Sequence, residues 1–288
     1  MTTQTNSVDA VLAQYEKNTK KATSGNNNSA SNEERLKKYF TTVLPKGEKS
    51  GEKRIRIIET LDGSSPFKEA YFHEVKVGED YLKLYDPRQD NKRSPLHEVY
   101  LALNGSDDPA NKELAKDYYA KKFYIVKVID RDNEQDGPKF WRFKHNGKNE
   151  GIFDKILPII RNKGNIMSST DGRDLTLALT LSKNPKNGKE YTTITSIIPE
   201  DKSPLHQDNE IAQSWINDPT IWEDVYAKKS EDYLDIVAKG EIPKWDNDLK
   251  KFISTSQSTE EVTLSSTPIA NSLLDPQADE KQSDDLPF

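Results

Sequence analysis

Several clusters of polar residues have types that could bind a metal or act in catalysis. The pairs His73-Glu74 and His97-Glu98 each begin like a zinc-protease motif, but neither has a second histidine four positions after the first. Residues 132–137 begin like a calcium loop, yet a phenylalanine occupies the position that should supply a bidentate Glu. The chain has no cysteine, which excludes thiol nucleophiles and cysteine-ligated zinc. The sequence therefore favours a protein that is not an enzyme and binds no metal or cofactor.

Basic and aromatic residues are interleaved in segments of strand-like sequence. Single-stranded nucleic acid is bound by such a mixture, because stacking a base on an exposed ring is worth about 1 to 3 kcal/mol and cations neutralise phosphates. Strand alternation requires about half of these rings to be buried, and the sequence leaves open which half. The candidate DNA-binding residues are Arg54, Arg56, Tyr118, Tyr119, Lys121, Lys122, Phe140, Trp141, Arg142 and Lys144.

The C-terminal tip is a candidate site of another kind. A terminal Phe beside Pro can insert its ring into an apolar pocket, while its carboxylate and two aspartates meet basic residues. Residues 254–288 hold seven acidic residues against one lysine, which accounts for the net charge of −6, so the rest of the chain is neutral and can still present a basic groove. The predicted partner-binding residues are Asp284, Asp285, Leu286, Pro287 and Phe288.

Composition divides the chain into a folded centre and two polar ends. Residues 1–33 and 254–288 lack sustained apolar periodicity, so we expect a flexible N-terminal segment and a disordered acidic tail. Residues 34–253 form the predicted DNA-binding core, with an insertion near residues 80–114 and helices within residues 205–240. No apolar run approaches 18 residues, and the sequence therefore predicts a soluble, cytoplasmic protein without a membrane partner.

Short strands outnumber helices in the central region. Alternating or β-branched patterns predict strands at residues 53–59, 69–77, 122–130, 139–145, 174–182 and 191–198. Helical spacing predicts a core helix at residues 150–162 and short helices at residues 209–216, 219–227 and 230–239. This order fits a mainly β fold better than a βαβ array. The specific prediction is an oligonucleotide-binding (OB) barrel with a helical C-terminal extension.

The strand period also assigns faces. Arg54 and Arg56 alternate with isoleucines, which predicts a basic outer face on the first strand. In residues 139–145, Phe140, Arg142 and Lys144 share one face, and Trp141, Phe143 and His145 share the other. Only one of these faces can look into the core, and which of them meets DNA stays open.

With these residues identified, the chain resembles the single-stranded DNA-binding proteins of tailed phages, especially the helix-destabilising type of the T-even phages. The likeness extends from about Lys17 to Ile160 and includes the basic-then-hydroxyl segment of residues 17–24. Its other motifs are Tyr118-Tyr119-Ala120-Lys121, Ile125-Val126-Lys127-Val128, Lys139-Phe140-Trp141-Arg142-Phe143 and Ile152-Phe153-Asp154-Lys155-Ile156.

The resemblance implies an OB barrel that coats single-stranded DNA cooperatively and without sequence preference during replication, recombination and repair. It also implies that Lys17, Lys20 and Lys21 promote self-association along DNA. The acidic tail would recruit replication and recombination proteins, in the cytoplasm of an infected bacterial host if a phage encodes the chain.

Two departures from the family pattern matter. Related phage proteins hold zinc through one His and three Cys in the insertion, whereas this chain has no Cys there, so we predict no zinc and an insertion ordered by packing alone. The ending Leu286-Pro287-Phe288 is more similar to the bacterial single-strand-binding tail than to the phage one.

Two alternative functions remain open: a recombination mediator or annealing protein, and a metal-dependent enzyme of nucleic-acid metabolism.

Overall fold

Antiparallel strands make up the centre of the fold. The computed structural model describes residues 34–254 except residues 79, 148–149, 185–187 and 189. Seven strands form one sheet in the order β3-β2-β4-β1-β6-β7, with β5 paired to β4 off this path. The strands are β1 (Ser50–Ile57), β2 (Lys68–Val77), β3 (Asp80–Tyr85), β4 (Lys121–Asp130), β5 (Pro138–Lys144), β6 (Gly172–Lys183) and β7 (Glu190–Ser203).

Strand β4 joins the two parts of the sheet. Its sequence is rich in β-branched and aromatic residues, and most of its side chains are buried. It pairs with β5 along one edge, while β2 and then β1 pair with it along the other. Among the described residues no ladder joins β5 to β7, so the seven-stranded sheet is not closed by hydrogen bonds.

Six α-helices, a helical stretch at residues 34–37, two 3₁₀ turns (Pro87–Asp90 and Glu134–Asp136) and a small hairpin complete the described fold. The helices are α1 (Pro95–Asn104), α2 (Pro109–Tyr118), α3 (Ile152–Lys163), α4 (Asn209–Ile216), α5 (Trp222–Val225) and α6 (Glu231–Ala238), and the hairpin is β8 (Pro243–Asp246) with β9 (Lys251–Ser254). Local sequence favours the start of two of these helices. The Asp108 side chain caps α2 by accepting a hydrogen bond from the Ala110 N–H, and Pro95 and Pro109 are the first residues of α1 and α2.

The predicted mainly β architecture with added helices is confirmed. The predicted strands and the core helix are present, with ends that differ from the predicted ones by a few residues. Helix α5 covers only Trp222–Val225, much less than the predicted 219–227, while β3, α1, α2, β8 and β9 were not predicted. The predicted insertion is therefore regular structure, comprising β3, α1 and part of α2.

Two apolar clusters stabilise the two parts of the sheet. The larger one lies between the strands β1 and β4–β7 and helix α3, and includes Trp141, Phe143, Ile156 and Leu177. A second cluster packs β2, β3 and α1 against α6, with Leu234 at 1% exposure. Burying each large side chain of this kind stabilises the fold by about 1.5 to 3 kcal/mol. Helix α6 thus covers the insertion rather than the larger cluster.

A buried polar network also orders the insertion, so the prediction of packing alone was incomplete. His73 is fully buried, and its Nδ1–H donates to the Tyr118 carbonyl at 2.7 Å. Its Nε2 lies 3.3 Å from Ser94 Oγ and 3.5 Å from Asp86 Oδ1. Burial opposes ionisation of Asp86, but His73 and Arg88 hold its pKa well below the ordinary value. The network ties β2 to the start of α1 and the end of α2.

Candidate nucleic-acid interface

A cleft opens between β5, the β2–β3 hairpin and the segment that follows α5. Its cavity volume is about 100 Å³. None of the described residues that line it is acidic. The cationic lining residues are Arg35, Lys83, Arg142 and Lys229, and the aromatic ones are Tyr39, Phe72, Tyr81, Tyr226 and Tyr233. We call this feature the Arg142 cleft.

Arg142 is held in this cleft by rings instead of carboxylates. Its guanidinium carbon lies 4.3 Å from the Tyr226 ring centroid and 4.6 Å from that of Phe72. Its Nε is buried without a hydrogen-bond partner, and no salt bridge to it occurs among the described residues. Burial lowers the pKa of Arg142, which nevertheless stays cationic at neutral pH. An anion entering the cleft would supply the missing partner.

The orientation of Arg142 follows from strand alternation in β5. Arg142 shares its face with Phe140 and Lys144, and this face packs against β2 and the segment after α5. The Tyr226 hydroxyl donates to the Phe140 carbonyl at 3.2 Å and fixes its own ring beside Arg142. Burial raises the pKa of Tyr226, so this hydroxyl remains a neutral donor.

Three lysines surround one carboxylate next to the cleft. The Nζ atoms of Lys144, Lys121 and Lys83 lie 2.8, 3.0 and 3.8 Å from Glu74 carboxylate oxygens. Burial opposes ionisation of Glu74, but the lysines, Lys144 foremost, hold its pKa below the ordinary value. We call these four residues the Glu74 cluster, and it retains an excess of positive charge.

Lys83 belongs to both the Glu74 cluster and the Arg142 cleft. Burial and then the charge of Arg142 lower the pKa of Lys83 to about 8. Burial and, to a smaller extent, the neighbouring cations therefore weaken proton binding at Lys83. A phosphate beside it would favour the charged form and reverse this effect.

One aromatic side chain at the cleft is exposed enough to meet a base directly. Tyr81 is 62% exposed, on the same strand as Lys83 and two residues before it. Of the other lining rings, Phe72 and Tyr226 contact Arg142, whereas Tyr233 contacts Lys229. The combination of cations, an exposed ring and no lining carboxylate is typical of sites for single-stranded nucleic acid.

The structure brings only some of the candidate residues together. Arg142 lies in the cleft, and Lys121 and Lys144 lie in the adjoining Glu74 cluster. Lys122 instead pairs with Glu69 at 2.6 Å.

The remaining exposed candidates lie outside the cleft lining. Tyr119 is 52% exposed and packs edge-on against Tyr100, while Tyr118 is half-buried against the insertion. Arg54 is exposed on β1.

Arg56 requires a correction, because it does not lie on an exposed face. It is fully buried and donates to Asp174 at 3.0 Å and to the Ser203 carbonyl at 2.6 Å. The prediction failed because the loop before β6 and the end of β7 cover the second face of β1 as well. Burial lowers the pKa of Arg56, and Asp174 partly offsets this effect. Arg56 is a structural cation and not an available phosphate ligand.

Phe140 and Trp141 are also core residues, contrary to their selection as base-stacking rings. Trp141 is 3% exposed and packs edge-on against Phe40 at 5.8 Å. Phe140 is 5% exposed and lies in the cluster beneath Arg142. Both faces of β5 are covered along most of its length, which alternation alone could not indicate. The Trp141 face meets the larger apolar cluster, and the Arg142 face borders the cleft.

Sequence reasoning missed Tyr81, Lys83 and Arg35, which line the same cleft as Arg142. Tyr81 and Lys83 alternate with Leu82 and Leu84, a pattern that could have indicated a strand with a polar face. Arg35 lies far away in the sequence, and no local signal connects it to β5. Long-range packing places it at the cleft.

Several predicted functions cannot be located on this structure. Lys17, Lys20 and Lys21, and the tip from Asp284 to Phe288, lie outside the described residues. Within residues 34–254, apart from the gaps named above, no group of three His, Cys, Asp or Glu side chains could hold a metal ion. None of the described helices is long and apolar enough to cross a membrane.

Comparison with known proteins adds no family assignment. No protein-family model and no curated protein matches the chain. The chemistry of the cleft and the order of the strands therefore carry the functional argument.

Proposed function

We propose that this chain is a non-enzymatic protein that binds single-stranded DNA without sequence preference. The Arg142 cleft carries the proposal: its half-buried Arg142 stacks on two rings and has a buried Nε without a hydrogen-bond partner, and the described lining residues include cations and rings but no carboxylate. Cations along a groove release counterions from phosphates, and exposed rings stack on any base.

The order of the strands supports an OB-type interpretation of the fold. Reading across the sheet gives β5-β4-β1-β6-β7, with α3 between β5 and β6 in the chain. This is the order of a five-stranded OB barrel whose second and third strands are β4 and β5. OB folds bind oligonucleotides on these two strands and the neighbouring loops. Arg142 and the Glu74 cluster lie on or beside them, which favours the same location for DNA.

A comparison of ligands tests the proposal. A labelled single-stranded oligonucleotide and a duplex of the same sequence should be titrated at several salt concentrations. We expect tighter binding of the single strand, and we expect the logarithm of the association constant to fall linearly with the logarithm of salt concentration. Equal affinity for duplex, or binding that does not depend on salt, would contradict the proposal. Strand cleavage on addition of magnesium would favour an enzyme instead.

The recruiting role of the C-terminal tip is part of the same proposal. Residues 284–288 combine two acids with a terminal apolar ring. Removing Phe288 should abolish binding of replication or recombination proteins and leave affinity for single-stranded DNA unchanged. Unchanged partner binding after this deletion would exclude the role. Cooperative self-association through Lys17, Lys20 and Lys21 is proposed on the sequence resemblance alone.

A further inference from the structure

A second cavity lies between the end of β5, the start of α3 and the start of β7. Its volume is about 420 Å³. Lys144, His145 and Lys155 contribute its basic groups, and Tyr191 and Thr193 line it from β7. Glu150 is the acidic side chain among its described lining residues. Lys144 is the one residue of this set that the sequence had indicated as a DNA-binding candidate.

Lys144 connects this cavity to the Arg142 cleft. Its Nζ donates to Glu74 at 2.8 Å, and Lys83, which lines the cleft, lies 3.8 Å from the same carboxylate. Lys144 also lines the second cavity. The two concave sites are therefore joined by the Glu74 cluster, whose net charge is positive. A polyanion leaving the cleft would meet no carboxylate in this cluster apart from Glu74.

The second cavity, like the cleft, combines cations with an exposed ring, although the Glu150 carboxylate also lines it. The Tyr191 side chain is 52% exposed at the start of β7 and contributes to none of the four apolar clusters of the described fold. Lys155 is oriented by a hydrogen bond from its Nζ to the Thr195 carbonyl at 2.8 Å. An exposed ring beside an oriented cation can stack one base and neutralise one phosphate.

We propose that the second cavity is a further nucleotide subsite, through which a single strand bound in the Arg142 cleft continues across Lys144. This inference rests on the proposed function. Tyr191 stacks on a base in this subsite, and Lys155 contacts a backbone phosphate. A strand too short to pass Lys144 is bound by the cleft alone.

Oligonucleotides of two lengths test the subsite. We suggest homopolymeric DNA of about 4 and about 16 nucleotides, the range of site sizes of OB folds. Tyr191→Ala should weaken binding of the longer strand about tenfold, a loss of ~1.4 kcal/mol, and leave the shorter one unchanged. Ile198→Ala is the matched control, because Ile198 is on the same strand and equally exposed at 52%.

A charge variant gives an independent measurement. Lys155→Gln should reduce the salt dependence of binding by about 0.7 in the logarithmic slope for the longer strand only. No effect of either substitution on the longer strand, or equal losses for both lengths, would overturn the subsite. Failure of the unaltered protein to bind either strand would instead refute the proposed function.

Discussion

Replacing Arg142 with Gln removes the cleft cation that stacks on the rings of Phe72 and Tyr226. If its guanidinium meets a phosphate, a charge-assisted hydrogen bond worth about 1.5 to 3 kcal/mol is lost. This loss corresponds to a dissociation constant about 10 to 150 times larger. One phosphate contact fewer should also reduce the logarithmic salt slope by about 0.7 for a single strand. The affinity and its salt dependence should therefore change together.

The same substitution should have little effect on folding. The guanidinium packs on the rings of Phe72 and Tyr226, and each such contact contributes about 0.5 to 2 kcal/mol. Against this, its buried Nε has no hydrogen-bond partner, which costs about 1 to 3 kcal/mol. These effects nearly offset one another. We expect the free energy of unfolding to change by no more than about 1 kcal/mol.

Fluorescence anisotropy of a labelled oligonucleotide across a salt series measures the first effect, and urea denaturation measures the second. Arg161→Gln is the matched control, because it removes an arginine that is exposed in the last turn of α3. The reasoning would be refuted if Arg142→Gln and Arg161→Gln bound with the same affinity and salt slope. A loss of stability of several kcal/mol in Arg142→Gln would show that the residue is chiefly structural.

Three further predictions concern other residues. The pKa of Lys83 is lowered to about 8, so its charge is lost as pH rises. The affinity for single-stranded DNA should therefore fall between about pH 7 and pH 9 in a pH titration. Lys83→Arg should abolish this dependence. Arg56→Leu should destabilise the fold by about 1 to 3 kcal/mol in urea denaturation, because the Ser168 and Ser203 carbonyls lose a donor while Asp174 keeps Arg131, yet leave the affinity of the folded protein unchanged. In the Trp141→Phe variant, DNA should still quench tryptophan fluorescence, because Trp141 is 3% exposed and does not meet DNA. The same substitution should lower the free energy of unfolding by ~0.5 to 3 kcal/mol.

Local sequence patterns were sufficient for most elements but insufficient for the site. The β-branched run of β4 and the alternating leucines of β6 define strands without any help from distant residues. Helix α4 begins and ends where its pattern indicates. The strands pair with segments far away in the chain, as β4 does with β1, but the residue types and spacing within each element are enough to identify it from the sequence.

Side-chain exposure depends instead on which distant segments cover a strand. Arg56 has the alternation of an outer-face residue, but Ser203 from β7 and Ser168 from the loop before β6 bind its guanidinium. Arg142 and Trp141 are neighbours with opposite surroundings, because the segment after α5 leaves a cleft on one face of β5. No short-range pattern contains this information, so the sequence could not show that Phe140 and Trp141 are both buried.

Local charge separation explains how a chain with a net charge of −6 can present a site for a polyanion. In the Glu74 cluster three lysines share one carboxylate, and none of the described residues that line the adjoining cleft is acidic. The pKa of Lys83 is lowered because burial and then the nearby charge of Arg142 disfavour its protonated form. A phosphate would relieve the repulsion and supply the partner that Arg142 Nε lacks. If the proposed site binds a phosphate, its binding energy and the destabilisation of the free site therefore arise from the same residues.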